Sequence, residues 1–167
     1  ETAWDVATGT GITIGIVDDG IEIAHPDLAA NYDAANSHNW NDGVATDPNP
    51  TSDADTHGTP VAGIAAAAWN NNEGGSGTAP TARLAGLRLI AGAFDDADIA
   101  EALSYQPDNI HVYNNSWNLG DGTTALQRPG AAVTTAIQNG VATGRGGRGS
   151  IYVWAAGNSA EISDNVN

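Results

Sequence analysis

The sequence contains no cysteine, no methionine and no lysine, and a single phenylalanine among 167 residues. Without cysteine there is no disulfide scaffold and no thiol redox chemistry, and the compartment is left open. Positive charge is scarce: five arginines face 20 Asp and Glu, for a net charge of -15. Such a chain repels phosphate backbones and anionic lipid, which argues against nucleic acid and membrane partners. No apolar run approaches the ~18 residues of a membrane span; the longest are Val61–Trp69, interrupted by Gly63, and Ile151–Ala156. What is abundant is glycine, 21 residues, within a 41% hydrophobic composition that fits a globular protein. A chain of this length buries roughly 70% of its unfolded surface, so residues 1–167 are expected to form one unit around a proper core. It opens on Glu1 with no basic-then-apolar leader, which fits a processed terminus or the cut edge of a longer protein.

Residues 11–19 (GITIGIVDD) read as a buried strand that runs into a loop at Gly20 and leaves two carboxylates at its C-terminal end. After a polar stretch from Asn36 to Asp55, HGTPVAGIAAAAW predicts a helix starting near His57 and ending in the loop NNNEGGSG. Ala82–Ile90 is a second strand. Asp95 and Asp96 can cap a helix running to about Tyr105, with Ile99, Ala102 and Leu103 at helical spacing. Ile110–Asn114 is a third strand, residues 129–141 a third helix, and Ile151–Ala156 a fourth strand. Strand and helix alternate throughout. The pattern predicts an α/β fold, a parallel sheet with helices on both faces, in which functional groups gather beyond the C-terminal ends of the strands.

Three segments occupy such places: Val17-Asp18-Asp19-Gly20 after the first strand, His57-Gly58-Thr59 at a helix start, and Ala155-Ala156-Gly157-Asn158 after the last strand. Alone, VDDG is commonly a turn with solvated acids, and HGT is no more specific. In this order, at strand and helix ends of one sheet, they form a specific signal. Here the chain resembles the subtilisin superfamily of serine endopeptidases, and more closely its kexin/furin branch. GIVDDGIEIAHPDLAANYD, DTHGTPVAG, the NNNEGGSG loop, IHVYNNSW and GRGGRGSIYVWAAGN stand in family order over essentially the whole chain.

The resemblance implies that Asp18 orients the His57 imidazole, that His57 relays the proton of a serine hydroxyl to the leaving amine, and that the Asn158 amide donates to the oxyanion. The family's serine lies in a GTS-type helix start well downstream of that asparagine, and only nine residues follow Asn158. The chain is therefore expected to be the N-terminal part of a catalytic domain, cut before the nucleophile and inactive by itself, with the remainder of the domain as its partner. Ser76 is no substitute, because Gly74-Gly75-Ser76-Gly77-Thr78 lacks the second glycine of a nucleophile elbow.

By the same resemblance, Asp19 and Asp55 meet the basic residue next to the scissile one, Ser116 and Trp117 belong to a segment that pairs with the bound peptide backbone, and Asp121 lies at the floor of a pocket for arginine at the cleavage point. Calcium is the implied cofactor. One site would use the Asp27 carboxylate, the Asn71 side chain and the carbonyls of Ala68, Glu73 and Gly75; a second would use Asp121 and Asp164. Hard oxygen donors and glycine-permitted turns suit that ion. The implied partners are peptide or protein substrates with basic residues and a propeptide or chaperone, and the implied location is secreted, periplasmic or extracellular. Pro60-Val61 in place of Arg-Cys, SWN in place of SWG and Ile99 in place of an acid depart from the branch pattern and point to broader selectivity.

His25 reads as a structural histidine beside Asp27, while His38 and His111 have no partner motif. A zinc hydrolase is excluded by the lack of HExxH or any paired-ligand spacing. An acid protease built on Asp18 and Asp19 fails because neighbouring residues of a strand point to opposite faces. The remaining alternative is a calcium-stabilised, non-catalytic binding module of the same fold.

Overall fold

The computed structural model describes residues 3–118 and 128–158. Strands β1 (Thr13–Asp18), β2 (His38–Asn39), β3 (Arg83–Arg88), β4 (Val112–Asn115) and β5 (Ile151–Trp154) form one parallel sheet in the order β2-β3-β1-β4-β5. Helices α1 (Gly58–Ala66), α2 (Asp96–Leu103) and α3 (Ala131–Gly147) precede β3, β4 and β5 in turn. This is the parallel α/β architecture expected from the alternation of patterns.

The two faces of the sheet make two cores. Ile16 and Leu84 pack with Ile21, Leu28, Ala62 and Ala66 on the α1 side. Val17 and Leu87 pack with Ile99, Leu103, Tyr113 and Val133 on the side of α2 and α3. A central strand buried on both faces reads as a continuous apolar run rather than an alternating one, which is how residues 11–17 read. From β1 the chain passes to β3 on one side, then to β4 on the other, so the strand order reverses at β1. A crevice opens beyond the C-terminal end of such a strand, and Asp18 stands there.

Helix α2 shows how local chemistry fixes a boundary. Asp95 caps it, accepting from the Ala97 and Asp98 amides at 2.7 and 3.1 Å, while Asp98 accepts from the Asp95 amide at 3.0 Å. A box of this kind contributes about 1 kcal/mol. At the other end, the Tyr113 hydroxyl donates to the Tyr105 carbonyl at 2.7 Å and the Tyr152 hydroxyl to that of Leu103 at 2.9 Å, their rings stacked 5.1 Å apart. Burial pushes the Tyr113 phenol well above its ordinary range and keeps it a donor.

The elements depart from expectation in three places. Strand β2 lies inside the polar stretch, because two residues paired with the edge of β3 need no hydrophobic pattern. Helix α1 stops at Ala66 rather than near Trp69: the Ala68 amide turns to the Asp27 carbonyl (2.8 Å) and the Gly77 amide to the Ala67 carbonyl (3.0 Å), drawing the chain into the following loop. Helix α3 starts at Ala131 and its helical geometry breaks at Gly144, where Arg145 and Gly146 turn left-handed at φ 55° and 63°.

Candidate active site

Asp18, the last residue of β1, is fully buried. His57 stands at the N-terminus of α1, and its Nδ1 lies 3.0 Å from Oδ1 and 3.1 Å from Oδ2 of the Asp18 carboxylate. The Asp19 amide donates to Asp18 Oδ1 at 2.8 Å. The His57 side chain is 55% exposed, so the ring stays open beyond its contact with Asp18. Burial pushes the Asp18 carboxyl above its ordinary value, and the His57 and Asp19 hydrogen bonds offset only part of that.

Asp19 is turned to the helix instead. Its Oδ2 accepts from the His57 amide at 2.9 Å and its Oδ1 from the Gly58 amide at 2.6 Å, so the second acid of the pair is the cap of α1, placed where the helix dipole favours an anion. Gly20, at φ 134°, lets the chain turn under this cap, and α1 approaches so closely that a Cβ on Gly58 would overlap the Gly20 carbonyl oxygen. The two glycines that follow the DD and the His are thus the two sides of one close contact.

Asp55 is also engaged internally. Its Oδ2 accepts from Arg88 Nη2 at 2.8 Å and from the Thr51 amide at 3.0 Å. Burial by itself would raise the Asp55 carboxyl, but the Arg88 and Thr51 hydrogen bonds hold it below its ordinary value. Arg88 is 2% exposed and belongs to none of the sequence motifs that point to the site. The available signal was a lone cation in the apolar strand LAGLRLI, which requires buried partners.

Ser116 and Trp117 follow directly on β4. Ser116 Oγ accepts from Asn114 Nδ2 at 2.9 Å. The Trp117 ring is buried between Phe94 and Trp154, with Nε1 donating to the Val17 carbonyl at 2.9 Å. Its side chain is therefore core, leaving only the backbone of that residue for substrate. Asn158 lies four residues beyond the C-terminal end of β5 and is exposed. Asp121 and Asp164 lie outside the described residues.

The expected calcium ligands form a second cluster. Asp27 is buried, its Oδ1 accepting from Asn71 Nδ2 at 2.8 Å and its Oδ2 from the Gly75 amide at 2.9 Å. Those two donors hold its carboxyl below the ordinary value. Asn71 Oδ1 faces the Glu73 amide at 3.3 Å, and Ala68 is tied to the Asp27 carbonyl. Among the described residues no three His, Cys, Asp or Glu side chains converge, so a cation here would rest on one carboxylate, an amide oxygen and carbonyls. That oxygen-only donor set on a buried acid fits a hard cation, with the Asn71 amide turned to present its oxygen.

The model of the subtilase family matches residues 9–167. The dibasic-processing endoprotease of Schizosaccharomyces pombe is 44% identical over 165 residues, 98% of this chain and 23% of that protein. Human furin is 42% identical, covering 100% of this chain and 21% of its own. Among solved structures, the serine protease of Aeromonas sobria superposes with a TM-score of 0.76 at 32% identity, over 90% of this chain and 26% of that one. Sphericase follows with 0.68 at 27% identity, over 92% and 48%. The chain spans about a quarter of the length of the curated relatives it matches. Among the described residues no helix is long and apolar enough to cross a membrane. With the family match running over nearly the whole chain and relatives at this level of identity, the chain belongs to the subtilase family of serine endopeptidases.

Proposed function

We propose that this chain supplies Asp18 and His57 of a catalytic triad and Asn158 of an oxyanion hole to a calcium-dependent serine endopeptidase that cleaves after basic residues, the serine coming from a segment outside these 167 residues. The observation that carries the reading is the His57 Nδ1 contact to both oxygens of a fully buried Asp18, with the rest of the ring open. Asp18 holds the imidazole in the tautomer whose Nε2 accepts the serine proton, and it stabilises the imidazolium that results. His57 then returns the proton to the leaving amine, while the Asn158 side-chain amide donates to the developing oxyanion.

Selectivity for basic residues draws on the acids around the site. Among the described residues the Asp19 side chain has the His57 and Gly58 amides as partners and no cation, which leaves it without an internal counter-ion when a basic substrate residue approaches. Asp55 shares Arg88 with Asp42, and that group retains one net negative charge. Asp121 would face arginine at the cleavage point. This weaker acidic setting supports broader selectivity than strict dibasic cleavage. A calcium ion held by Asp27, Asn71 and the carbonyls of Ala68, Glu73 and Gly75 would supply rigidity to the loop after α1, and a second would use Asp121 and Asp164. A chaperone or propeptide is a fitting partner, as the Aeromonas sobria serine protease is described in complex with a chaperone. The activity belongs outside the cytoplasm.

The test uses the full-length protein with a serine-reactive fluorophosphonate and denaturing mass spectrometry. Labelling, together with cleavage of arginyl peptides that His57→Ala abolishes without unfolding, is the expected result. A folded protein that neither labels nor cleaves would instead be a non-catalytic module.

A further inference from the structure

The geometry points to Arg88 as the positioning residue of the catalytic pair: one buried guanidinium ties the strand end that carries Asp18 to the segment that delivers His57. Arg88 ends β3 directly beside Asp18 in the β1–β3 register. Its Nε donates to the Asp19 carbonyl at 3.0 Å. Its Nη2 donates at 2.8 Å both to Asp55 Oδ2 and to Thr51 Oγ1. Its Nη1 reaches Asn39 Oδ1 at 3.3 Å and pairs with the Asp42 carboxylate. One side chain thus holds the residue after Asp18, the residue two before His57 and the edge strand β2 together.

Nothing in the sheet itself asks for a cation at this place. A leucine, as at Leu84 and Leu87 of the same strand, would fill it without the desolvation that a buried charge entails. The guanidinium spreads five donors over three nitrogens and serves five partners here, whereas a lysine ammonium offers three donors from a single nitrogen and cannot span them all. His57 enters α1 directly from the tethered segment. A shift of that segment therefore displaces the imidazole from Asp18, and displacements of about 1 Å at a catalytic group cost on the order of 100-fold in rate.

The turnover part of the test rests on the proposed protease function; the spectroscopic part does not. In the full-length protein, Arg88→Lys is compared with wild type in kcat, in KM, and in the low-field proton resonance of the His57 Nδ1–H held by Asp18. The expected result is a folded variant with kcat lowered roughly 10- to 100-fold, KM within about twofold, and a shifted or broadened resonance. A folded Arg88→Lys with wild-type kcat and resonance overturns the assignment, as does a rise in KM at unchanged kcat. If Arg88→Lys does not fold, Asp55→Ala, which removes the oxygen that accepts from Arg88 Nη2 and leaves the other Arg88 partners in place, must shift the same resonance, and an unchanged resonance overturns the assignment. A wild-type protein without turnover refutes the protease reading alone, because the resonance still decides the role of Arg88.

Discussion

The carboxylate of Asp18 is fully buried, and its two oxygens lie 3.0 and 3.1 Å from Nδ1 of a His57 ring that is itself more than half exposed. The pair therefore joins a charge that the fold would rather neutralise to a base that remains open to reactants.

Asp18→Asn is expected to lower kcat on the order of 10⁴-fold, a size known for the orienting aspartate in subtilisin rather than one obtained from this geometry. Stability should move the other way. A carboxyl whose folded value is raised opposes folding once the pH exceeds that value, because the unfolded chain ionises more readily. Thermal melts at neutral pH should show the variant at or above wild-type Tm, and a marked drop would contradict the assigned burial cost.

Gly58→Ala puts a methyl group onto the Gly20 carbonyl oxygen, a backbone atom that cannot swing aside. A loss of about 1–3 kcal/mol in urea unfolding is expected, with a fall in activity as α1 and His57 are pushed off Asp18. An unperturbed Gly58→Ala would mean that the contact is looser than described.

Calcium at a hundredfold excess over its Kd should raise the Tm of the full-length protein by about a few degrees, and chelation should reverse the rise. Asp27→Asn should lose the response of the loop after α1. The pH dependence has a definite sign: a carboxyl held low in the folded state stabilises above its unfolded value, and that contribution disappears as the pH falls through the folded value. Calorimetry that shows the same calcium response in Asp27→Asn would remove this residue from the site.

His38 packs 4.3 Å from the Trp40 ring and 4.9 Å from that of Tyr105, and burial lowers its pKa while Glu101 opposes the shift. Protonation then favours the unfolded chain, so stability is complete above about pH 6.5 and falls below it, until the folded imidazole also protonates. Between pH 7 and 5, His38→Phe should lose less unfolding free energy than wild type. Equal slopes would show that another group sets the acid sensitivity.

Much of the site could be read locally. An apolar β-branched run ending in DDG, and HGT opening an alanine-rich segment, determine a strand end and a helix start whatever surrounds them, because the hydrophobic period and the turn residues act over a few positions. The strand–helix alternation determined the parallel sheet, and with it that Asp18 and Asn158 are at or beyond C-terminal strand ends. Helix α2 was delimited by its own cap.

Tertiary structure alone decided what the neighbouring acids do. Asp19 and Asp55 look equivalent in the sequence, as carboxylates close to Asp18 and His57, yet one caps α1 and the other pairs with a buried arginine. Asp55, Asp19 and Asn39 meet at Arg88 across sequence separations of 33, 69 and 49 residues. No local pattern encodes such a meeting. It exists only once β3 is laid beside β1, because hydrogen bonds act over about 3 Å of space and are indifferent to distance along the chain.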